Sequence, residues 1–213
     1  GRPFSVPYDK LLIATGAAPV LPELPGVDLP GVLVLKSLED GRKLKEALTA
    51  RPVRRAVILG MGYIALEMCE ALAARGISVE MVKPRPGLLP WMAKELSDKV
   101  REELSARGVG IHDGRTVERI SEAPGGGLQV ACRDGAIPCD MVLAAVGVAP
   151  VSGIAEGAGL ALGPGNAVAV DATLRTSDPD IYGAGDCADA FHVVTGGRVW
   201  IPLALRANRA GWA

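Results

Sequence analysis

Short apolar runs alternate with amphipathic segments along the chain, and this alternation predicts an α/β protein with a parallel sheet. Strands are predicted where a run of apolar residues ends at a glycine or another turn residue. These strands cover residues 10–15, 56–59, 77–82, 141–146, 167–170 and 181–182. Helices are predicted where apolar residues recur every three or four positions. These helices cover residues 37–48, 63–75 and 94–107.

Two segments depart from this alternation. Residues 115–120 and 128–133 predict a hairpin, because the glycines at 125–127 separate them. Residues 17–31 hold four prolines and predict an extended linker without regular structure.

The charge of the chain argues against a nucleic acid or a membrane as partner. The chain has 23 Lys and Arg against 24 Asp and Glu, a net charge of −1. Such a balance supplies no electrostatic footprint for nucleic acid or for an anionic membrane. No apolar run approaches the roughly 18 residues that a membrane-spanning helix needs. No signal peptide precedes the first predicted strand.

The cysteines and histidines show no metal-binding pattern. The cysteines at 69, 132, 139 and 187 form no CxxC pair, and neither of the two histidines lies near a cysteine pair. Free buried cysteines behave as small hydrophobic residues. We therefore expect a reducing, cytoplasmic compartment and no structural metal.

The strongest local motif lies in residues 57–67, which read VILGMGYIALE. Gly60-x-Gly62-x-x-Ala65 follows a predicted strand and opens a predicted helix, as a dinucleotide-binding fingerprint requires. Gly60 permits the tight turn, Gly62 lets the backbone approach a pyrophosphate, and Ala65 lets helix and strand pack closely. The amide groups at the helix N-terminus then bind the pyrophosphate. A purely structural glycine-rich turn is the alternative.

The residues after the next predicted strand bear on the choice of nucleotide. An acid at this position binds the ribose hydroxyls, whereas a nearby arginine accommodates a 2′-phosphate. Here the strand ends at Lys83, followed by Pro84 and Arg85, and Glu80 is the only acid nearby. Two interpretations stay open, a cationic pocket for a phosphate and a solvated basic turn. The first predicts that NADPH is accepted and is preferred over NADH.

Further glycine motifs flank this unit in the sequence. Ala-Thr-Gly at 14–16 ends the first predicted strand, and YGAGD at 182–186 follows a short one. An acid at a glycine-rich strand end is well placed to accept a hydrogen bond from a polyol or a ribose, although such turns are mostly structural. The run AAVGVAP at 144–150 ends a strand in a similar way.

Together, four motifs resemble those of the FAD-dependent pyridine nucleotide-disulfide oxidoreductases. They are YDKLLIATGAAP at 8–19, VILGMGYIALEMCEAL at 57–72, VGVAP at 146–150 and TSDPDIYGAGDCA at 176–188, in family order and spacing. The tail at 200–213 is most similar to the coenzyme A-disulfide reductase and NADH oxidase branch. The resemblance implies a Rossmann-like NAD(P)-binding domain inserted into a partial FAD-binding domain. The implied domains are 1–35 for the first FAD piece and linker, 36–145 for NAD(P), and 146–213 for the second FAD piece.

The same resemblance implies that this chain is a fragment. Family members begin with an FAD-binding GxGxxG followed by a redox-active cysteine, and they end with a dimerisation domain. The sequence shows neither end, and none of its cysteines matches the redox cysteine, including Cys187 beside Asp186. We therefore expect no catalytic residue here, weak binding of FAD, no activity of this chain alone, and a homodimer for the full-length protein.

The resemblance also implies roles at the matching positions. The NAD(P) pyrophosphate loop would consist of Gly60, Met61, Gly62, Tyr63 and Ile64. Tyr63 would cover the flavin and move aside for nicotinamide, or else pack in the core, and Glu67 would lie near the nicotinamide carboxamide as a supporting acid. The other expected cofactor-binding residues are Lys83, Arg85, Val146, Gly147, Ala14, Thr15, Gly16, Gly185, Asp186 and Pro202. Of these, Asp186 would bind the ribityl chain, and Pro202 would open a helix aimed at the flavin pyrimidine ring.

The implied function is transfer of hydride from NAD(P)H to FAD and then to a small-molecule acceptor. That acceptor would be a disulfide such as coenzyme A disulfide, a persulfide, or oxygen. One alternative is a ferredoxin- or rubredoxin-reductase relative, which uses the same cofactors without a redox cysteine. Another is a nucleotide-binding sensor without turnover, and the two flavin-type motifs argue against it because a sensor needs no flavin site.

Overall fold

The structure, a computed structural model, describes residues 4–212. Contacts between residues divide it into two units. The central unit is Pro19–Gly147, which is continuous in sequence. The flanking unit comprises the described residues up to Ala18 together with those from Val148 onward.

Short strands alternate with helices through most of the described residues. The strands are β1 (Leu11–Ile13), β2 (Ala17–Pro19), β3 (Val32–Val34), β4 (Arg55–Leu59), β5 (Ser78–Lys83), β6 (Gly110–Asp113), β7 (Val117–Glu122), β8 (Leu128–Cys132), β9 (Gly135–Cys139), β10 (Met141–Ala144), β11 (Val148–Pro150), β12 (Ile181–Gly183), β13 (Ala190–His192) and β14 (Gly197–Val199). The helices are α1 (Leu38–Ala50), α2 (Tyr63–Ala73), α3 (Lys94–Ala106), α4 (Gly153–Gly157) and α5 (Ala204–Ala210). Single 3-10 turns occur at Pro164–Asn166 and Gly185–Cys187.

A five-stranded parallel sheet in the order β3-β10-β4-β5-β6 forms the middle of the central unit. Ile58 of β4 lies opposite Met81 of β5 on one side and opposite Leu143 of β10 on the other. Helix α1 connects β3 to β4, α2 connects β4 to β5, and α3 connects β5 to β6. This is a Rossmann-like arrangement, so the predicted α/β class and parallel sheet are confirmed.

Alternate residues of the sheet enter two different cores, because neighbouring side chains of a strand point to opposite faces. In β4, Ala56 and Ile58 join a core with α1 and α2. Val57 and Leu59 join a second core with strands β7, β8 and β9. All four residues are buried. A strand covered on both faces is apolar throughout, which explains why residues 56–59 read as an unbroken apolar run.

The three predicted helices of the central unit are present, with ends within two residues of those predicted. The side chain of Ser37 accepts a hydrogen bond from the amide of Asp40, and the Asp40 carboxylate accepts one from the amide of Ser37. This capping box starts α1 at the predicted place. In α2, Ala65, Cys69 and Leu72 are buried at helical spacing. Within residues 4–212, no helix is both long enough and apolar enough to cross a membrane.

The predicted hairpin is present, and a third strand extends it into the antiparallel sheet β7-β8-β9. Val130 of β8 lies opposite Ile120 of β7 and Ile137 of β9. Strand β9 was not predicted from the sequence, because this strand begins at a glycine and contains Pro138. Proline is tolerated at the edge of a sheet, where its missing donor breaks no ladder, and β9 forms such an edge.

The proline-rich segment is irregular from Val20 to Gly31, as predicted, but the prediction is wrong for Ala17–Pro19, which form β2. The irregular part is also more than a linker. The carbonyl oxygen of Pro25 accepts a hydrogen bond from the amide of Ile120 at 2.8 Å. Leu24 packs against the core between the two sheets, and the segment leads into β3 at the sheet edge. Residues 19–35 therefore belong to the central unit, although the family resemblance implied that residues 1–35 form the first FAD piece and linker.

The flanking unit is built from short strand pairs. Strand β1 pairs with β12 in parallel, and β13 pairs with β14 in antiparallel orientation. Two predictions are wrong here. Residues 167–170 form isolated bridges rather than a strand, because Val168 alone pairs with Leu162 and with Ala188, and neither partner belongs to a strand. Helix α5 begins at Ala204, not at Pro202, because Leu203 between them has extended backbone angles.

Candidate dinucleotide-binding site

The chain turns sharply at the end of β4. Gly60 has a φ of +114°, and a Cβ on this residue would lie 2.2 Å from the carbonyl oxygen of Ala145. Residues with a Cβ disfavour positive φ, so both the backbone conformation and the close approach require glycine. The turn expected from the fingerprint is therefore present, and it brings the loop after β4 against the loop after β10.

These two loops meet where the strand order of the parallel sheet reverses. From β4 the chain proceeds to β5 and β6 on one side, and it later returns to β10 on the other side. In open α/β sheets, ligands bind in the crevice outside the carboxyl ends of the strands at such a switch point. Gly60 follows β4 at this point, and Val146 and Gly147 follow β10. The topology thus places three predicted site residues at one crevice.

Helix α2 begins at this crevice with its first amide groups uncapped. Its N-cap residue is Gly62, and in the described chain no side chain caps the first turn and no acid lies within it. Such amide groups and the helix dipole favour an anion. A Cβ on Gly62 would have only the tip of the Trp91 ring within 4 Å, at 3.8 Å. The helix N-terminus therefore fits the pyrophosphate of a dinucleotide.

A cavity of about 530 Å³ occupies the crevice. It brings together most of the residues predicted to bind the nucleotide, namely Gly60, Met61, Gly62, Lys83, Arg85, Val146 and Gly147. The rest of the lining is largely apolar and includes residues to which the sequence analysis gave no role, such as Pro22, Leu24, Val117 and Trp91. The open, partly apolar space beside an anion-binding helix end suits a dinucleotide, which combines charged phosphates with flat rings.

Lys83 and Arg85 both line the cavity, but their side chains are engaged differently. The ammonium group of Lys83 donates a hydrogen bond to the carbonyl oxygen of Gly87 at 2.6 Å. Arg85 is exposed, and within residues 4–212 its guanidinium group has no protein partner. Of the two cations, Arg85 is thus the one whose donors are all available to a ligand, whereas one of the three donors of Lys83 is used by Gly87.

The loop that carries Arg85 is anchored by Asp113 of β6. The Asp113 carboxylate accepts hydrogen bonds from the amide of Gly87 at 2.6 Å and from the guanidinium group of Arg101 at 2.7 Å. Burial favours the neutral carboxyl, but these hydrogen bonds and the charge of Arg101 outweigh it and lower the pKa of Asp113 below its ordinary value. The carboxylate therefore ties the loop between β5 and α3 to the body of the central unit.

Tyr63, Ile64 and Glu67, which the fingerprint also singled out, lie outside the lining of this cavity. Tyr63 is 49% exposed and contacts Trp91, so it does not pack in the core. Ile64 is partly buried. Glu67 is exposed one helical turn beyond Tyr63 and lines a separate groove of about 820 Å³ between α2 and α3. The roles of Tyr63 and Glu67 stay predictions.

The two flavin-type motifs meet within the flanking unit, because they follow the paired parallel strands β1 and β12. After β1, exposed Ala14 is followed by Thr15, whose hydroxyl donates a hydrogen bond to the carbonyl oxygen of Val151. Gly16 has a φ of +72°, and a Cβ there would meet no atom within 4 Å. This turn therefore has an open side on which a ligand can approach the backbone.

Gly185 and Asp186 form the 3-10 turn after β12. Gly185 has a φ of +82° and, like Gly16, open space where a Cβ would lie. The indole of Trp200 donates a hydrogen bond to the carbonyl oxygen of Asp186 at 2.8 Å, and the guanidinium group of Arg206 donates one to that of Gly185 at 2.7 Å. These two contacts hold the backbone of the turn, and with it the carboxylate of Asp186.

The chain thus combines a nucleotide crevice with two flavin-type motifs, and its match to a known family agrees with this combination. The family model described as pyridine nucleotide-disulphide oxidoreductase matches residues 1–211. The chain belongs to this family.

Similar proteins support the assignment to the pyridine nucleotide-disulphide oxidoreductases. The NAD(P)H sulfur oxidoreductase (CoA-dependent) of Pyrococcus furiosus is 36% identical over 220 residues, which cover 100% of this chain and 48% of that protein. The NADH oxidase of Methanocaldococcus jannaschii is 32% identical over 99% of this chain and 47% of that protein. The solved structure of an NAD-dependent persulfide reductase from A. fulgidus has a TM-score of 0.90 at 35% identity, covering 97% of this chain and 38% of that one. The chain thus spans about half the length of the curated relatives it matches.

In this member of the family, an ion pair that the sequence analysis missed supports the second flavin-type motif. Asp189 is fully buried, and its carboxylate pairs with the guanidinium group of Arg198 and accepts a hydrogen bond from the amide of Val170 at 3.0 Å. The hydrogen bond to Asp189 raises the pKa of Arg198. Arg198 lies nine positions after Asp189, in β14 and beyond the run GDCAD, so that run alone gave no sign of the pair.

The four cysteines are free and buried. Burial raises the pKa of Cys139 to about 11, and it also raises the pKa of Cys69 and of Cys132. A thiolate is the reactive form of cysteine, so these three side chains are suited to packing rather than to disulfide exchange. Cys187 lies between the carbonyl oxygens of Ile13 and Ala184 in the core of the flanking unit.

Proposed function

We propose that this chain supplies the NAD(P)H site and part of the FAD site of an oxidoreductase that passes hydride from NAD(P)H to flavin and onward to a small-molecule acceptor. The observation that carries the proposal is the uncapped N-terminus of α2, which opens at the switch point of the parallel sheet. The family and the relatives point in the same direction.

The residues of the central unit bind and orient the nucleotide. The first amides of α2 hold the pyrophosphate, and Gly60 and Gly62 leave room for it to approach the backbone. The guanidinium group of Arg85 is available to the 2′-phosphate of NADPH, whereas Lys83 holds the loop through Gly87. The nicotinamide ring supplies the hydride chemistry when the nucleotide is bound. Tyr63 and Glu67 lie on the exposed side of α2, outside the cavity lining, and we propose that they border the nicotinamide end.

The residues of the flanking unit contribute to the flavin site. Gly16 and Gly185 leave open space beside two neighbouring strand ends, which fits a ligand that lies close to the backbone. Thr15 and Asp186 supply a hydroxyl and a carboxylate at the same edge, and we assign the carboxylate to the ribityl hydroxyls. Pro202 keeps no role as a helix start, since α5 begins two residues later and is only seven residues long.

The acceptor is a sulfur compound or oxygen. The relatives from P. furiosus and A. fulgidus are named as a CoA-dependent sulfur oxidoreductase and a persulfide reductase, and the relative from M. jannaschii as an NADH oxidase. The absence of a CxxC pair and the burial of the four cysteines support a cytoplasmic protein. We further propose that the complete protein is a homodimer, on the resemblance of the four motifs to the family.

Substitution of Gly62 by alanine tests the nucleotide site. The fold tolerates a Cβ at this position, because only Trp91 would lie within 4 Å, and the change at the N-cap costs about 0.5 kcal/mol of stability. The Cβ would, however, occupy the space where the pyrophosphate approaches the helix. We expect the Kd of both NADH and NADPH to rise about tenfold or more, equivalent to at least 1.4 kcal/mol.

Isothermal titration calorimetry with each nucleotide measures this change. Gly125→Ala is the matched control, because a Cβ there would also meet open space and the residue lies in the β7–β8 turn, outside the cavity lining. Equal affinity of wild-type, Gly62→Ala and Gly125→Ala protein would show that the nucleotide binds elsewhere or not at all.

A further inference from the structure

Trp91 forms an aromatic pair with the first residue of α2. Its indole Nε1–H donates a hydrogen bond to the hydroxyl oxygen of Tyr63 at 3.0 Å. The two ring centroids are 5.3 Å apart and the ring planes are tilted by 54°, within the range of favourable aromatic pairs. Trp91 is 56% exposed and Tyr63 is 49% exposed, so the pair lies at the surface of the central unit.

The pair bridges two edges of the nucleotide cavity. Trp91 belongs to the loop between β5 and α3 and lines the cavity, whereas Tyr63 directly follows Gly62 of the fingerprint turn. The nearest atom to a Cβ built on Gly62 belongs to the Trp91 ring. With its hydroxyl held by Trp91, Tyr63 stays out of the cavity lining, although Met61 and Gly62 directly before it belong to that lining.

We propose that Trp91 is a positioning residue for the nucleotide: it holds the ring of Tyr63 clear of the cavity. The proposal rests on the proposed NAD(P)H site. A half-exposed tyrosine without this bond samples the other staggered rotamers of its side chain. Rotamers that direct the ring over Gly62 compete with the pyrophosphate and nicotinamide end of the nucleotide. The apparent affinity then equals the intrinsic affinity multiplied by the fraction of protein molecules in which the cavity is open.

The backbone of the loop is fixed independently of the Trp91 side chain. Leu88 and Leu89 are buried in the helix-side core of the sheet, and the hydroxyl of Ser97 on α3 donates a hydrogen bond to the carbonyl oxygen of Leu88. Gly87 is held on both sides by Lys83 and Asp113. A change confined to the Trp91 indole therefore alters the pair with Tyr63 and leaves the loop anchored.

The substitutions Trp91→Phe and Tyr63→Phe remove the same hydrogen bond from opposite sides and keep an aromatic ring at each position. We expect each one to raise the Kd of NADH and of NADPH about fivefold, the size expected for one hydrogen bond. The double variant is expected to bind no more weakly than either single variant, because the bond is lost only once. The midpoint of thermal unfolding is expected to stay at the wild-type value. Trp212→Phe is the control, since Trp212 is 85% exposed in the flanking unit.

Titration calorimetry gives the Kd values, and non-additive Kd effects at an unchanged unfolding midpoint are a result that a merely structural contact would not give. Tryptophan emission reports whether the nucleotide binds beside Trp91. Nucleotide is expected to quench the wild-type emission, and Trp91→Phe is expected to remove most of that quenching while Trp212→Phe retains it. Unchanged Kd values in both single variants, tighter binding, or a double variant weaker by the product of the two single effects would refute the positioning role. If the wild-type protein binds neither nucleotide, the proposed NAD(P)H site itself is wrong and the role of Trp91 is refuted with it.

Discussion

Alanine substitutions at Arg85 and at Lys83 separate the roles of the two cations in the nucleotide cavity. The guanidinium group of Arg85 is exposed and has no protein partner in the described chain, whereas the ammonium group of Lys83 donates to Gly87. We expect Arg85→Ala to weaken the binding of NADPH and to leave NADH nearly unchanged, because only NADPH carries a 2′-phosphate. We expect Lys83→Ala to weaken both nucleotides equally, because it releases the loop rather than a phosphate contact.

The magnitudes follow from the exposure of each group. A charge-assisted hydrogen bond is worth about 1.5–3 kcal/mol when partly desolvated, and an exposed ion pair about 0.2–1 kcal/mol. Arg85 is exposed, so we expect a loss of about 1 kcal/mol, which is roughly fivefold in the Kd for NADPH. Lys83 is partly buried, so loss of its bond to Gly87 is expected to lower the free energy of unfolding by about 1 kcal/mol.

The assay is calorimetric titration of each variant with NADPH and NADH, read as the ratio of the two Kd values, together with urea unfolding. Arg119→Ala serves as the control, because Arg119 is an exposed arginine of the same unit outside the cavity lining. If Lys83→Ala changes the ratio of the Kd values for NADPH and NADH and Arg85→Ala does not, the phosphate pocket lies at Lys83. A ratio untouched by either variant, with NADH bound more tightly, would show that the basic turn is merely solvated.

Three further outcomes test other parts of the structure. Because the pKa of Asp113 is lower in the folded protein than the ordinary carboxyl pKa of 3.8, the ionised carboxylate stabilises the fold above pH 3.8, and this stabilisation is lost as the pH falls through the pKa of the folded state. Asp113→Asn removes this group, so the free energy of unfolding, measured by urea denaturation, is expected to fall less steeply below about pH 4 than in the wild-type protein. Arg198→Ala leaves the buried carboxylate of Asp189 without its countercharge, and we expect chemical denaturation to show a loss of about 2–4 kcal/mol, reduced somewhat because the Arg198 side chain is 40% exposed. Cys139, with its pKa of about 11, is expected to resist iodoacetamide at pH 8 in the native protein and to react after unfolding, as mass spectrometry would show; rapid native labelling would contradict its burial.

Features that depend on neighbouring residues were predictable from the sequence. The apolar run of β4, the glycines at 60 and 62 and the buried spacing of α2 lie within one short segment, and the structure has the strand, turn and helix that they indicate. The hairpin around 125–127 and the capping box at Ser37 are local in the same way. Their conformations follow from side-chain periodicity, the permissive backbone of glycine and short-range hydrogen bonds, all of which can be judged from a window of about ten residues.

Features that join distant segments were decided only by the tertiary structure. Lys83 looked like a free cation in the sequence, and its hydrogen bond to Gly87 depends on the path of a loop that Asp113 of another strand holds in place. The proline-rich segment joined the central unit because Pro25 finds a donor at Ile120, 95 positions away. The contact of Trp91 with Tyr63, 28 positions away, has the same origin. Hydrogen-bond partners and shared cavities arise where the packing of strands and helices brings remote side chains together, and no local pattern encodes which of them will meet.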